Sequence, residues 1–318
     1  MKRNWLRIGL LSALGAWAMT GCGDTIAEEA ESDNSGNGAS DNSSDGNTDL
    51  GTDSNTEKEA DGEDDFGCAI TGGGTKSGYF TFKLALCGDS YNVQTNPWGG
   101  AVQTITAGGN DVFRVDSMQE LSGKEAWDVA AFPSVYRGTA QGGNPTENSG
   151  MPIAVGDINT IPTGLATNSS SIRFGGNTTF DVYFTNNQTY TRGAPDVFLM
   201  VWFAANTFNP INGDDEGWDC WRDPPTYIDS CSDAGSVQIG DKTFYRFYGS
   251  NGHSPVISYV PESELDTWEF DLADFIRDAV SEGYLTDSMY LQSIQAGFEL
   301  ATGGEGLAIK GFYTRINE

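Results

Sequence analysis

Two acidic residues interrupt apolar strand patterns, where a carboxylate is costly unless it has a partner or a task. Glu299 lies in LQSIQAGFELATGGEGLAIKGF, residues 291–312. Side chains alternate along a strand, so Phe298 and Leu300 point to one face and Glu299 points to the other. Asp181 interrupts a second strand pattern, FDVY. Carboxyl groups on an inner sheet face can give and take protons, so the two acids predict acid–base chemistry.

Short alternating runs between turn residues predict the strands that would position these acids. Besides the C-terminal hairpin within 291–313, the sequence predicts strands at 79–86, 90–94, 102–107, 112–115, 171–174, 179–184, 197–204, 243–248 and 256–260. One helix is predicted over 271–282, DLADFIRDAVSE, because its apolar residues recur at helical spacing and Gly283 follows as a stop. A single helix in a strand-rich chain predicts an all-β sandwich.

The N-terminal part of the chain predicts export and a lipid anchor. A basic start and an apolar stretch too short to span a bilayer, residues 8–19, lead to MTGC, which resembles a lipoprotein cleavage site. Residues 1–22 would be the signal peptide and lipobox, with Cys22 as the lipidated residue; the alternative is an ordinary secretory signal. The protein would then be an exported bacterial lipoprotein, anchored at the cell surface or facing the periplasm.

Residues 23–66 predict a disordered acidic tether rich in Ser, Asn and Gly. The tether holds fifteen acidic residues and one basic residue, so its net charge is −14, half of the −28 of the whole chain. The acidity therefore says little about the rest of the chain. It argues against nucleic acid and anionic lipid surfaces as partners, leaving the anchor as the predicted membrane contact.

Residues 67–318 are long enough for one β-sandwich domain, which we expect to be monomeric. Its four cysteines predict two local disulfides in an exported protein, Cys68 with Cys87 and Cys220 with Cys231. The single histidine argues against a Cys/His zinc site and against histidine-dependent nucleophilic mechanisms. The sequence thus predicts no cofactor and no metal centre.

Several segments of the domain form an ordered set of motifs. They are TNPWG at 95–99, FPSVYRG at 132–138, FDVY at 180–183, FLMVWF at 198–203 and FYRFYGSNGHSPVIS at 244–258, followed by the helix and the strand of Glu299. Together they resemble glycoside hydrolase family 12, the small jelly-roll endoglucanases and xyloglucanases. The resemblance implies a two-sheet, concanavalin-like jelly-roll sandwich with one helix on its convex face. The concave face would form an open cleft for β-glucan.

The resemblance also assigns roles to the acids. The family residue that matches Glu299 is the catalytic acid/base, and the one that matches Asp181 lies beside the nucleophile. The family's nucleophilic Glu opens the strand E-[IL]-M-I-W-[LF], and Phe198 occupies that position here. A retaining glycosidase needs two carboxyls roughly 5–5.5 Å apart, and Phe198 cannot attack the substrate.

Two acids are candidates to replace the missing carboxylate. Asp181 could activate water, which would suit an inverting mechanism with carboxyls about 6.5–9.5 Å apart. Asp196 is the weaker candidate for a substitute nucleophile. It lies two residues before Phe198, a displacement of roughly 6.6 Å along a strand, and the sequence offers no Gly there to suggest a bulge.

The predicted substrate contacts are polar and aromatic side chains of the motifs and of an extended loop. An indole ring can pack against a sugar face, although Trp98 could equally be a buried residue at a turn. The 206–231 loop could be an aromatic lid, and its acids could bind Ca²⁺ or simply be solvated. The predicted contacts are Asn96, Trp98, Met200, Trp202, Trp218 and Trp221.

Two functions follow from these observations. The first is a hydrolase of β-1,4-glucan polysaccharides such as cellulose, mixed-linkage glucan or xyloglucan. The second is a cell-surface protein that binds such glycans without cleaving them, because the nucleophile position is Phe198.

Overall fold

The computed structural model describes residues 62–119, 129–140, 143–191, 193–206, 235–251 and 253–318. These residues form two β-sheets, one α-helix and two 3-10 turns at Val155–Asp157 and Ser169–Ser171. In chain order the strands are β1 (Gly62–Glu63), β2 (Ala69–Gly72), β3 (Gly74–Ser77), β4 (Thr81–Leu86), β5 (Asp89–Gln94), β6 (Val102–Gly108), β7 (Asp111–Gln119), β8 (Ser134–Gly138), β9 (Ile153–Ala154), β10 (Pro162–Thr167), β11 (Phe174–Thr185), β12 (Val197–Asn206), β13 (Ser236–Ile239), β14 (Lys242–Ser250), β15 (Pro255–Pro261), β16 (Thr267–Asp271), β17 (Tyr290–Gly303) and β18 (Ala308–Thr314).

The strands divide into a larger and a smaller sheet. The larger sheet has the order β1-β2-β4-β5-β8-β17-β11-β12-β15-β14-β13, with β9 also paired to β17. The smaller sheet has the order β16-β10-β18-β7-β6-β3. Among the described pairs, β12 with β15 is parallel and the others are antiparallel. The strands that carry Glu299 and Asp181, β17 and β11, are thus neighbours near the middle of the larger sheet.

Aromatic side chains from both sheets meet in one core, which makes the fold a β-sandwich. Phe298 of β17 packs edge-on against Phe113 of β7, with ring centroids 5.7 Å apart. Phe180 of β11 and Tyr91 of β5 both contact Phe312 of β18. Burial of such rings contributes most of the apolar area removed from water. The all-β, two-sheet expectation is confirmed.

The predicted helix is present as α1, Leu272–Ser281. Asp271 begins it, since its side chain accepts a hydrogen bond from the Ala273 amide, and Gly283 follows with a φ of +80°. Phe275 packs against Phe244 of β14 and Tyr259 of β15, so the helix covers the core side of the larger sheet. No helix in the described part of the chain is long and apolar enough to cross a membrane.

The predicted Cys68–Cys87 disulfide is present, with Cα atoms 4.8 Å apart. Cys22, Cys220 and Cys231 lie outside the described residues. Two strand predictions were incomplete. The segment 132–138 contains the buried strand β8, and 171–174 runs from the last residue of a 3-10 turn, Ser171, to the first residue of β11, Phe174. Both differences affect the centre of the larger sheet, because β8 pairs directly with β17.

Candidate active site

The side of the larger sheet that faces away from the sandwich core carries the predicted acids. We call it the outer face. Strand alternation sends Phe298 and Leu300 of β17 into the core and Glu299 to the outer face, as predicted. Asp181 of β11 shares this face, and in the register it stands opposite Gln295 of β17 and Met200 of β12.

Glu299 is a partly buried carboxyl with one well-defined partner. It stands opposite Asn177 of β11, and Asn177 Nδ2 donates a 2.5 Å hydrogen bond to Glu299 Oε2. Burial raises the pKa of Glu299 to about 7, although the Asn177 hydrogen bond acts to lower it. A carboxyl with this pKa can hold a proton near neutral pH, which a general acid requires.

Asp181 is the second acid of the outer face, and it is only 7% exposed. Burial raises its pKa well above the ordinary value, and the negative charge of Glu299 raises it further. The two carboxyls therefore interact, although their positions differ by four residues in the register of β11 and β17. Two interacting acids release their protons in separate steps, so one can be ionised while the other is protonated.

Buried polar atoms without partners surround this pair. Asn177 Oδ1, Asp181 Oδ1 and Trp202 Nε1 are buried and have no hydrogen-bond partner among the described residues. Such atoms are uncommon in folded proteins, because an unpaired buried polar group costs roughly 1–3 kcal/mol. All three lie on the outer face of β11 and β12. A ligand rich in hydroxyl groups could supply the missing hydrogen bonds.

Phe198 stands on the outer face of β12, opposite Tyr183 of β11. Its ring is 6% exposed and packs edge-on against Tyr183, with centroids 5.0 Å apart. It belongs to an apolar cluster on this face that also contains Met200, Trp202 and Val256. The structure thus places an apolar side chain where the sequence resemblance expects a carboxylate.

Asp196 is not brought to this site, which corrects its candidacy as a substitute nucleophile. It is exposed and precedes β12, where its Oδ2 accepts a 2.6 Å hydrogen bond from the Asn186 amide. Its own amide donates to the Phe184 carbonyl, so it closes the β11–β12 turn. Glu299 pairs with Asn177, at the opposite end of β11. The two-residue displacement from Phe198 already counted against Asp196, and the structure adds that it belongs to the turn before β12.

A network of neutral polar residues that sequence reasoning missed lies beside the acids. Gln94 of β5 donates from Nε2 to Gln295 Oε1 at 2.8 Å and to Ser134 Oγ at 3.0 Å. Gly297 allows β8 to approach, since a Cβ there would lie 2.1 Å from the Pro133 carbonyl oxygen. The sequence signal for this network was the presence of glutamines at outward-facing positions of the strand patterns. Their contact depends on the pairing of strands that are far apart in the sequence.

The remaining predicted contacts fall into three groups. Met200 and Trp202 are buried on the outer face beside Asp181. Trp98 is 58% exposed, and Asn96 is buried two residues before it, with Oδ1 accepting a hydrogen bond from the Tyr79 hydroxyl. Trp218 and Trp221 lie outside the described residues. The described part of the chain contains no cluster of three or more potential metal ligands.

A β-sandwich with two interacting acids and unpaired polar atoms on one sheet face has the features of a glycan-processing protein. The comparison with known families defines it further. The chain belongs to glycoside hydrolase family 12, since the model of glycosyl hydrolase family 12 matches residues 89–317.

Individual relatives agree with this membership. A protein of Mycobacterium tuberculosis, described as probable cellulase Cel12b, is 26% identical over 168 residues, 52% of this chain and 97% of that protein. The endoglucanase cel12A of Rhodothermus marinus has a TM-score of 0.63 at 25% identity, over 76% of this chain and 98% of that chain. A Phytophthora nicotianae protein named inactive glycoside hydrolase XLP1 is 25% identical over 164 residues, 51% of this chain and 61% of that protein.

Proposed function

We propose that this protein hydrolyses β-1,4-glucan polysaccharides, such as cellulose, mixed-linkage glucan or xyloglucan, on the outer face of the larger sheet. The observation that carries the proposal is the interacting pair of Glu299 and Asp181 on that face. Membership of family 12 and the relatives named as cellulase and endoglucanase support the substrate class.

In this mechanism Glu299 is the general acid. Burial raises its pKa to about 7, so it can hold the proton that the leaving glycosidic oxygen receives as the C–O bond breaks. Phe198 cannot form a glycosyl intermediate, so a water molecule attacks the anomeric carbon and the ionised form of Asp181 accepts its proton. The step therefore uses the protonation state in which Glu299 holds the proton of the interacting pair. The product then has the inverted configuration.

The register of the two acids sets what the inverting form requires. Asp181 is offset from Glu299 by four residues, about 13 Å of strand, so the two side chains must incline towards each other to reach the carboxyl spacing of about 6.5–9.5 Å of inverting enzymes. The roughly 5–5.5 Å of retaining enzymes would require a still closer approach.

Hydrolysis is tested by release of reducing ends from mixed-linkage glucan, xyloglucan and carboxymethylcellulose by the intact protein. We expect Glu299→Gln and Asp181→Asn each to lower the rate by about 10²–10⁴-fold, the usual contribution of a positioned acid or base. NMR of the first product reports the anomer. A retained configuration would rule out Asp181 as the base on water.

The second candidate is a protein that binds glucan without cleaving it. Phe198 favours this function, since an apolar side chain fills the position of the family's nucleophile. The similarity to a relative named as inactive shows that such members resemble this chain. Binding without reducing-end release, and unchanged in Glu299→Gln, would support this candidate over the first.

We further propose that the protein acts as a monomer held at a membrane by lipid on Cys22. The lipobox-like MTGC and the acidic segment that follows support this location. Radiolabelled palmitate should be incorporated in a bacterial host and lost in Cys22→Ser. Incorporation that persists in this variant would contradict the assignment.

A further inference from the structure

Two aromatic side chains lie exposed in the connection between β3 and β4. Tyr79 is 70% exposed and Phe80 is 41% exposed. Both precede residue 89, where the match to the family model begins. Single exposed aromatics are common in soluble proteins. Tyr79, however, is hydrogen-bonded to Asn96, which lies two residues before the exposed Trp98.

The backbone around the two aromatics is fixed. The Phe80 amide donates to Thr95 Oγ1 at 2.8 Å, and the Thr95 amide donates to the Phe80 carbonyl at 3.0 Å. Thr95 Oγ1 also donates to the Gly78 carbonyl at 2.6 Å. The Tyr79 hydroxyl donates to Asn96 Oδ1 at 3.0 Å, so the polar end of the ring is held as well. A ring fixed in this way loses little side-chain entropy when it binds a ligand.

Polar side chains on successive strands lead from the acids towards Tyr79. Asp181 stands opposite Gln295, and Gln295 accepts a hydrogen bond from Gln94 of β5. Asn96 follows Gln94 by two residues and contacts Tyr79. The path crosses β11, β17, β8 and β5 in the order of the sheet. A polysaccharide that spans several strands would therefore reach Tyr79 only with units remote from the acids.

We propose that Tyr79, beside Trp98, forms an additional sugar-binding subsite that only longer glucan chains reach. The proposal rests on the proposed glucan function of the outer face. The face of a pyranose carries C–H groups that pack on an aromatic ring, and the tethered hydroxyl leaves the faces of Tyr79 free for this contact. Phe80 is not part of the subsite, since its ring packs on the core residue Phe82 with centroids 5.4 Å apart.

Tyr248 provides a matched control. It is 48% exposed, but one face of its ring is already covered by Tyr284, with centroids 4.3 Å apart. It lies on β14, several strands from Tyr79 in the sheet.

Calorimetric titration of the intact protein with cellobiose and with cellohexaose tests the subsite, with Glu299→Gln as background so that the chains are not cut. We expect Tyr79→Ala to weaken cellohexaose binding by about 3- to 10-fold, the effect of losing one stacking contact, and to leave cellobiose binding unchanged. Tyr79→Trp should retain the cellohexaose affinity, and Tyr248→Ala should change neither affinity.

Three results would overturn the proposal. Equal weakening for both sugars would show that Tyr79 acts only by holding Asn96, and an unchanged cellohexaose affinity would show that Tyr79 makes no sugar contact. In both cases the proposed function would stand. If the Glu299→Gln background bound neither sugar, both the proposed function and the proposed subsite would fail.

Discussion

Asn177 and Glu299 face each other across β11 and β17, and one hydrogen bond joins their side chains at 2.5 Å. The amide stabilises the ionised carboxylate, whereas burial favours the protonated form. The pKa of about 7 is the result of these opposing effects. The proton on the proposed general acid is therefore controlled by a neutral residue on the neighbouring strand.

Asn177→Ala should raise the pKa of Glu299 above 7, because it removes the effect that lowers the pKa. Glu299 would keep its proton to higher pH, so the alkaline fall in kcat should move upward by about one to two pH units, as expected for a hydrogen bond to a charged group worth roughly 1.5–3 kcal/mol. A pH–rate profile measures the shift. Asn168→Ala is the control, because its side-chain amide hydrogen-bonds with the Gly306 carbonyl and the Ala308 amide and not with Glu299. A downward shift would contradict this assignment.

The stability of the protein should fall with rising pH because of Glu299. Its pKa is raised from an ordinary 4.5 to about 7, so the folded protein binds the proton more tightly than the unfolded chain does. The stabilisation is complete below pH 4.5 and is lost as pH rises through 7. Glu299→Gln removes this dependence.

Urea unfolding at pH 5 and pH 8 measures the effect. The unfolding free energy of the parent protein should fall between pH 5 and pH 8. That of Glu299→Gln should fall by about 1–3 kcal/mol less over the same range. The exposed Glu305→Gln is the matched control and should show no such trend. An equal pH dependence in parent and Glu299→Gln would argue that Glu299 keeps its ordinary titration in the folded state.

Restoring a carboxylate at Phe198 should create or raise retaining hydrolysis. The side chain at this position points to the outer face beside Tyr183, and the family motif carries its nucleophile there. Phe198→Glu should increase the rate by roughly 10²-fold or more, the scale of a positioned catalytic group, at some cost in stability because the site is buried.

Phe198→Gln is the control, because Gln has nearly the shape of Glu but carries no charge. Its rate of hydrolysis should equal that of the parent protein. The measurements are reducing-end release and the product anomer. If Phe198→Glu folds and binds glucan but remains at the parental rate, the outer face differs from the family's active site in more than the loss of one carboxylate.

The attachment of α1 to the larger sheet should depend on one partly buried ion pair, Asp278 with Arg246. Asp278 accepts hydrogen bonds from Arg246 Nε at 2.7 Å, from Arg246 Nη2 at 2.8 Å and from the Tyr259 hydroxyl at 2.8 Å. Asp278→Ala removes these hydrogen bonds to a charged group while Arg246 keeps its ion pair with Glu282, so it should destabilise the protein by about 1.5–3 kcal/mol in urea unfolding.

Asp274→Ala is the control, because the pair of Asp274 with Arg277 is exposed and should contribute only about 0–1 kcal/mol. Equal losses in the two variants would show that Asp278 has no special role in holding the helix.

Local patterns in the sequence were enough to predict α1, β17 and the two faces of β17. Alternation and amphipathic spacing depend only on nearby residues, and the structure confirms them at Phe298, Glu299 and the helix. The buried strand β8 was missed because Arg137 and Ser134 interrupt its apolar pattern. The contact of Gln94 with Gln295 was not predictable, since it joins residues 201 positions apart. Asp196 was misplaced because strand ends depend on turn geometry.

The register of β12 in the larger sheet has a consequence for engineering. Antiparallel pairing with β11 fixes β12 along its length, and Ala205 at its end aligns, through Asn177, with Glu299. β12 ends at Asn206, and the next described strand in chain order, β13, begins at Ser236. Segments grafted between these points would leave the strand register unchanged while starting beside the proposed acid. This junction is therefore a natural place to exchange modules that select among glucans.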